Sequence, residues 1–204
     1  MDIKICGLTN RDDASCAIEA GADFLGFVLY AGSQRGISVN ALAGIRKAVE
    51  PSIPIVAVMV KPTFAAALEA VEIGGADIVQ IHGSADYNDF AGFPYPLWRA
   101  VAAGDGKTEP DPASWPAARY VVDAAVPGQY GGTGARADWE EAARLAKLYP
   151  IMLAGGLTPD NVAEAIRTVR PCGVDVSSGV EVLPGKKDHT MVCDFIAAAR
   201  AALA

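Results

Sequence analysis

Short apolar runs alternate with amphipathic segments eight times along the chain, and this alternation limits the fold more than any other feature. The apolar runs predict strands at 3–6, 24–29, 55–60, 78–81, 97–101, 120–123, 151–153 and 174–177. The other segments predict helices at 11–20, 39–49, 63–73, 84–91, 138–148, 159–169 and 189–203. Such alternation is typical of a parallel sheet, because parallel neighbours are joined by crossovers. Eight units predict an α/β protein, a single (β/α)8 barrel domain over residues 1–204.

The fifth strand–helix unit departs from this pattern. Glycine at positions 104 and 106 and proline at positions 110, 112 and 116 occupy the stretch where the fifth helix belongs. Proline lacks the N–H donor of a helix interior, and its ring clashes with the preceding turn. We therefore expect the fifth helix to be short, either a single turn or a loop.

Several helix boundaries are marked by residues with known capping preferences. Thr9 and Ser38 are predicted N-caps, and Thr158 is a third because Pro159 follows it at the first helical position. Gly21 stands just before the second strand, where the left-handed conformation of a helix C-cap favours glycine.

Charge and cysteine content exclude several classes of function. The formal net charge is −7 and no basic cluster is present, which argues against nucleic acid as a partner. The chain shows neither a leader-like N-terminus nor an apolar run of about 18 residues, so we expect no membrane contact. The four cysteines are scattered without CxxC spacing, which disfavours a zinc site and indicates a cytoplasmic location.

Strand alternation directs one set of polar side chains into the barrel. If the isoleucines and valines of the first and eighth strands face the helices, Lys4 and Asp175 face the axis. Polar residues at the strands' carboxyl ends then gather at the mouth, where barrel active sites lie: Cys6, His82, Asp123 and Ser177. Structural alternatives remain open. Asp123 could be an N-cap or turn residue, His82 a hydrogen-bonded rim residue, and Lys4 with Asp175 a buried ion pair.

Two glycine-containing turns follow the last two strands. Gly155 and Gly156 end the seventh strand, while Ser178 and Gly179 end the eighth. Small residues let backbone N–H groups approach an anion, and barrels commonly hold phosphate in these two loops. The alternative is that the glycines only form tight turns. Their tandem occurrence favours a phosphate site, and therefore an enzyme acting on a small phosphorylated molecule.

Six motifs occur in a distinctive order: KICGLT at 4–9, GAD at 21–23 with GFV at 26–28, QIHG at 80–83, GGTG at 131–134, LAGGLT at 153–158 and VDVSSGVE at 174–181. Each motif is weak alone, but their shared order in one small barrel is specific. In this order the chain resembles the phosphoribosylanthranilate isomerase family of tryptophan biosynthesis, nearly from end to end.

The resemblance implies a (β/α)8 barrel enzyme that needs no cofactor. Such an enzyme converts N-(5-phosphoribosyl)anthranilate to 1-(2-carboxyphenylamino)-1-deoxyribulose 5-phosphate by an Amadori rearrangement. The family's roles make Cys6 the general base and Asp123 the general acid. Arg35 corresponds to the arginine that meets the anthranilate carboxylate. His82 and Asp175 are further candidates for substrate binding.

The loop that carries Arg35 differs from the family pattern. The family commonly has Ser-Pro-Arg followed by a bulky residue, whereas this chain has Ser33-Gln34-Arg35-Gly36. Without the proline, and with glycine next, we expect this loop to be looser.

Lys4 lies two residues before Cys6 and on the same strand face. A free thiol with a pKa of about 8.5 is mostly protonated at pH 7, and a thiolate is the stronger base. We hypothesise that the Lys4 ammonium favours the thiolate of Cys6.

Other functions stay open on sequence alone. A related barrel isomerises a phosphoribosyl substrate of histidine biosynthesis, but it has an aspartate where this chain has Cys6. A dual-substrate isomerase, an indole-glycerol phosphate synthase and a flavin-binding barrel share the scaffold. A non-catalytic barrel that binds a phospholigand would need the glycine turns but neither Cys6 nor Asp123. The oligomeric state is open between a monomer and a homodimer.

Overall fold

Eight parallel strands form a closed barrel, because the fourth and fifth of them pair and complete the ring. The computed structural model describes residues 1–49, 53–104, 107–124 and 136–202. In chain order the strands are β1 (Asp2–Ile5), β2 (Phe24–Val28), β3 (Ile55–Val60), β4 (Ile78–His82), β5 (Leu97–Gly104), β6 (Lys107–Glu109), β7 (Arg119–Ala124), β8 (Ile151–Leu153), β9 (Gly173–Val176), β10 (Glu181–Leu183) and β11 (Lys186–Lys187). β6 pairs antiparallel with β5, and β10 with β11, outside the ring. The predicted barrel is confirmed.

Six α-helices lie in the described ranges: α1 (Arg11–Ala20), α2 (Val39–Arg46), α3 (Phe64–Glu72), α4 (Trp139–Ala146), α5 (Val162–Val169) and α6 (His189–Ala201). The expected short fifth unit is confirmed, since its only described helical element is a single 3-10 turn at Pro112–Ser114. The predicted helix at 84–91 is wrong, because that connection contains only a 3-10 turn at Tyr87–Phe90.

Aromatic side chains cover the barrel where these two helices are missing. The ring centroids of Phe90 and Trp115 lie 5.9 Å apart. The guanidinium of buried Arg99 lies 5.4 Å from the Trp115 ring, and it donates to the carbonyls of Ile81 and Gly83. Large rings bury apolar surface that a helix face would otherwise cover, so short turns suffice on this side.

Two of the predicted helix ends are confirmed. The Ser38 hydroxyl accepts the N–H of Ala41 at 3.1 Å and caps α2. Gly21 has φ +96° and ends α1 in the left-handed conformation that glycine adopts at low cost.

Two other predicted caps are wrong, and in both places an asparagine side chain accepts a nearby backbone N–H. Asn10 caps α1, and the Thr9 hydroxyl instead donates to the carbonyl of Gly185 at 2.6 Å. The helix predicted to begin at Pro159 begins later, after a turn in which the Asn161 side chain accepts the N–H of Thr158 at 2.9 Å.

The predicted alternation of side chains across the strands is confirmed. The inner apolar cluster consists of Cys6, Val56, Val58, Ile78, Trp98, Val121, Met152 and Ala154. Outward residues of the same strands join the layer between barrel and helices: Ile3, Ile5, Val79, Ile81, Tyr120, Val122, Val174 and Val176. Cys172 also packs against the inner cluster. None of the helices in the described ranges has the length and apolar character that a bilayer crossing requires.

Candidate active site

The carboxyl ends of the barrel strands surround one pocket, at the face where the sequence predicts the site. Its lining includes the catalytic candidates Cys6 and Asp123 and the substrate-binding candidates Arg35, His82 and Asp175. The four phosphate candidates line it as well: Gly155, Gly156, Ser178 and Gly179. The fold therefore brings together all the predicted site residues, although they are spread from one end of the chain to the other.

Cys6 directly follows β1, and its buried thiol lies near a charged pair. The fully buried Lys4 places Nζ 2.9 Å from Oδ2 of Asp175 on the adjoining strand β9. Burial raises the pKa of the Cys6 thiol, while the Lys4 ammonium acts in the opposite direction. Burial also lowers the pKa of Lys4, but Asp175 and Cys6 outweigh it and raise that pKa on balance. The ion pair that the sequence left open is present, and its cation is charged.

Asp123 lies near the end of β7, across the mouth from Cys6. Burial raises the pKa of its carboxyl to about 6, although the N–H of Ala124 donates to Oδ1 at 2.7 Å and opposes the shift. The next helix among the described residues, α4, has Asp138 as its N-cap, so Asp123 does not cap that helix. A carboxyl with this pKa keeps a usable protonated fraction near neutral pH.

His82 ends β4 and is buried beside Gln80. Burial lowers the pKa of His82 to about 3, so the ring is neutral in the physiological range. The Gln80 amide nitrogen lies 2.9 Å from Nε2 of the ring. An amide nitrogen can only donate, so Nε2 accepts and we assign the ring proton to Nδ1. His82 is thus a hydrogen-bonding group of the pocket and carries no charge.

Arg35 reaches the mouth from the loop after β2, and it is already paired there. Its Nε and Nη2 lie 2.9 Å and 2.6 Å from the two carboxylate oxygens of Glu181. Glu181 also accepts a hydrogen bond from Nζ of the buried Lys187 at 2.8 Å. Two cations around one carboxylate leave a net positive charge at this edge of the pocket.

The backbone of the loop around Arg35 forms a tight hydrogen-bonded turn, and a looser loop than that of the family stays a prediction. The N–H of Gly36 donates to the carbonyl of Ser33 at 2.9 Å, and the N–H of Ser33 donates to the carbonyl of Tyr30 at 3.0 Å. A side chain at Gly36 would collide with that carbonyl oxygen of Tyr30. Glycine therefore closes the turn here, because only a bare backbone can approach so closely.

The two glycine turns lie next to each other at the pocket edge. Gly155 and Gly156 have φ of +78° and +63°, in the left-handed region. A side chain at Gly179 would collide with the carbonyl oxygen of Leu157, so the turns are in close contact. No acceptor among the described residues receives the N–H groups of these turns: Gly155, Gly156, Ser178 and Gly179. Such N–H groups can bind an anion.

Sequence reasoning gave no role to three polar side chains of this site: Gln80, Glu181 and Lys187. Gln80 Oε1, Asp175 Oδ1 and Ser177 Oγ are buried and have no hydrogen-bond partner within the described part of the chain. Glu181 was noted only as part of a motif, and Lys187 was not noted at all. Strand parity predicts the inward direction of Gln80, but nothing local predicts that Lys187 returns to the mouth. The GGTG motif at 131–134 lies outside the described residues.

Sequence comparison connects the chain to one enzyme family. The profile of N-(5′-phosphoribosyl)anthranilate (PRA) isomerase matches residues 3–198. The N-(5′-phosphoribosyl)anthranilate isomerase of Roseiflexus castenholzii is 45% identical over 216 residues, covering 99% of this chain and 99% of the relative. The isomerase of Pelobacter propionicus is 40% identical over 200 residues, covering 98% and 96%.

Solved structures agree with this assignment. Phosphoribosylanthranilate isomerase from Thermus thermophilus superposes with a TM-score of 0.88 at 32% identity, covering 98% of this chain and 99% of the other. A structure of monomers generated from the dimeric Thermotoga maritima enzyme gives 0.85 at 31%, with 98% and 99% coverage. A complex with reduced 1-(o-carboxyphenylamino)-1-deoxyribulose 5-phosphate gives 0.83 at 30%, again with 98% and 99% coverage. The chain therefore belongs to the phosphoribosylanthranilate isomerase family, the isomerases of tryptophan biosynthesis.

Proposed function

We propose that Cys6 is the general base and Asp123 the general acid of the isomerisation of N-(5′-phosphoribosyl)anthranilate. The observation that carries this proposal is that one pocket contains both a thiol and a carboxyl group. A buried thiol near an ammonium lines one side, and a carboxyl with a pKa of about 6 lines another. The reaction needs one group that donates a proton and one that removes a proton.

The proton transfers assign each group a step. Protonated Asp123 gives its proton to the ring oxygen, so the C1′–O bond breaks and the anthranilate nitrogen forms an iminium at C1′. The Cys6 thiolate then takes the C2′ proton, whose acidity the iminium increases. The resulting enol loses its hydroxyl proton and gains one at C1′, which gives the aminoketose. Asp123 recovers its proton and Cys6 loses one before the next turnover.

Main-chain N–H groups at the two glycine turns bind the phosphate in this proposal. The overall charge is negative, so local dipoles must hold the anion. The turns present Gly155, Gly156, Ser178 and Gly179 at the pocket edge. Anchoring the phosphate there fixes the sugar between Cys6 and Asp123.

Polar side chains with spare hydrogen-bonding capacity bind the rest of the substrate. Asp175 Oδ1 is an unpartnered acceptor within the described residues, and His82 offers a donor at Nδ1. We place the sugar hydroxyls against these two groups. Arg35 lines the pocket and carries a positive charge, so we place the anthranilate carboxylate against it.

We also propose that the enzyme works as a homodimer in the cytoplasm. The related Thermotoga maritima protein is described as dimeric. All four cysteines are free, as thiols are in a reducing compartment. Sedimentation of the purified protein at several concentrations tests the dimer, and a monomer at all of them contradicts it.

Complementation tests the catalytic proposal. The wild-type gene should rescue a tryptophan auxotroph that lacks the isomerase, and Cys6→Ala or Asp123→Asn should not. Cys193→Ala is the matched control because Cys193 is exposed and outside the pocket. Rescue of a histidine auxotroph that lacks its own sugar isomerase would indicate a dual-substrate enzyme. Rescue by Cys6→Ala would contradict the assignment of the base.

A further inference from the structure

Gly26 of β2 faces the barrel interior beside the catalytic thiol. A β carbon built on Gly26 would lie 2.8 Å from Sγ of Cys6 and 3.0 Å from Nζ of Lys4. The two atoms therefore converge on the space that a side chain at position 26 would fill. The φ of Gly26 is outside the left-handed region, so the backbone conformation does not require glycine. What requires it is the approach of these two side chains.

Several charged or titratable groups surround the Cys6 sulfur. Lys4 stands on the same strand, and Asp175 of β9 holds the Lys4 ammonium at 2.9 Å. Lys187 of β11 and Arg35 of the β2–α2 loop contribute positive charge from the rim. Across the pocket are Asp123 of β7 and the neutral His82 of β4. Among these charges, Lys4 has the largest influence on the thiol.

We propose that Gly26 is a positioning residue for the isomerisation: its missing side chain admits the Lys4 ammonium beside Cys6, where it stabilises the thiolate that takes the C2′ proton. This inference rests on the proposed role of Cys6 as base. It gives a reason for the glycine of the GFV motif at 26–28, to which the reaction otherwise assigns nothing.

The protonation states of the two catalytic groups make the effect measurable. Burial raises the pKa of Cys6, and the pKa of Asp123 is about 6, so thiolate with neutral carboxyl is the minor form of the pair. For such a pair, kcat/KM forms a plateau between the two pKa values, because gain of thiolate offsets loss of protonated Asp123 as pH rises. A higher Cys6 pKa lowers the plateau value of kcat/KM and moves the alkaline limb to higher pH. The acid limb near pH 6 stays where it is.

Gly26→Ala tests the inference directly. We expect the plateau of kcat/KM to fall at least about tenfold, with an upward shift of the alkaline limb by one pH unit per tenfold loss. Alkylation of Cys6 by iodoacetamide should require correspondingly higher pH. It is followed on the Cys6 peptide by mass spectrometry, because the other three cysteines are also free. The inhibition constant of inorganic phosphate should not change.

Two further variants keep the test decisive. Gly44→Ala is the matched control, since a β carbon at this position of α2 meets nothing within 4 Å, and it should leave both profiles unchanged. Lys4→Met should reproduce the shift, and it supplies the test if Gly26→Ala fails to fold. Adding Gly26→Ala to Lys4→Met should cause little further shift of the alkaline limb.

The outcomes separate this inference from the proposed function. An unchanged alkaline limb and unchanged alkylation in Gly26→Ala would overturn the role of Gly26, even if the rate falls. Equal shifts of the alkaline limb by Gly26→Ala with and without Lys4 would overturn the role of the ammonium. If Cys6→Ala keeps wild-type activity, the proposed base itself is wrong, whatever the Gly26 variant shows.

Discussion

Arg35 and Glu181 form a two-point ion pair, with Nε at 2.9 Å and Nη2 at 2.6 Å from the Glu181 carboxylate. Hydrogen bonding to Glu181 raises the pKa of Arg35, so the guanidinium stays charged. Burial raises the pKa of Glu181, but Arg35 and Lys187 outweigh it and lower that pKa on balance. The arginine proposed to meet the substrate is therefore held in one orientation before substrate arrives.

Removing the charge of Glu181 should weaken substrate binding more than it slows the chemical step. In Glu181→Gln, one neutral oxygen replaces the two-point acceptor, and Arg35 loses its fixed orientation. We expect KM to rise about tenfold, roughly the value of one charge-assisted hydrogen bond, while kcat changes less than about threefold. Steady-state kinetics measures both. An unchanged KM would show that Arg35 needs no support, and in an Arg35→Met background Glu181→Gln should have no further effect on KM.

Cys6→Ala and Asp123→Asn should each lower kcat with little change in KM. Positioned proton transfer contributes about 10²–10⁴-fold per group, so the loss should be two or more decades. The measurement is kcat and KM of the purified variants, with Cys193→Ala as the exposed-thiol control. Retention of more than about a tenth of the wild-type kcat would contradict the assigned step.

Asp123→Asn should also change the pH profile of the residual activity. Burial holds the pKa of the Asp123 carboxyl at about 6, above its ordinary range. Below that pH the carboxyl is already protonated and kcat/KM falls with the thiolate fraction, whereas above it the wild-type profile flattens. An amide does not titrate, so in the variant kcat/KM should keep rising through pH 6. If the break near pH 6 persists in Asp123→Asn, the break belongs to another titrating group.

The two glycine turns should respond differently to alanine. The β carbon of Gly155→Ala would lie 2.9 Å from Oδ1 of Asp123, so kcat should fall as well as KM rise. The β carbon of Gly179→Ala would collide with the carbonyl oxygen of Leu157. This collision should move the two phosphate-binding turns apart, so the substitution should mainly raise KM. Gly155→Ala also forces alanine into a positive φ, which costs about 1–2 kcal/mol of stability.

Gly21→Ala is the matched control for Gly155→Ala. Gly21 has φ +96°, and a β carbon there meets nothing within 4 Å. Gly21→Ala should lower the free energy of unfolding about as much as the positive φ does in Gly155→Ala, and it should leave kcat and KM unchanged. Denaturant titration and steady-state kinetics compare the two variants. An effect of Gly155→Ala on stability alone would show that its turn does not support Asp123.

The barrel and the side of each strand that faces the pocket could be predicted because both follow from local periodicity. Side chains alternate along every strand, so the inward direction of Cys6, His82 and Asp123 needs only strand parity. Short-range competition was harder to predict. Thr9 and Asn10 are both capping residues, and their local sequence does not say which one caps α1. The 84–91 segment has a helical pattern, but aromatic packing around Phe90 and Trp115 replaces the helix.

Periodicity and motif order in the amino-acid chain were enough to establish the architecture, the family and the strand ends that carry the chemistry. Closure of the barrel established which distant groups meet: Arg35 with Glu181, Gly26 with Lys4 and Cys6, and Gly155 with Asp123. These contacts depend on strand register and on the path of the loops, which neighbouring residues do not encode. The electrostatic environment of each catalytic group therefore becomes visible only when the strands are assembled.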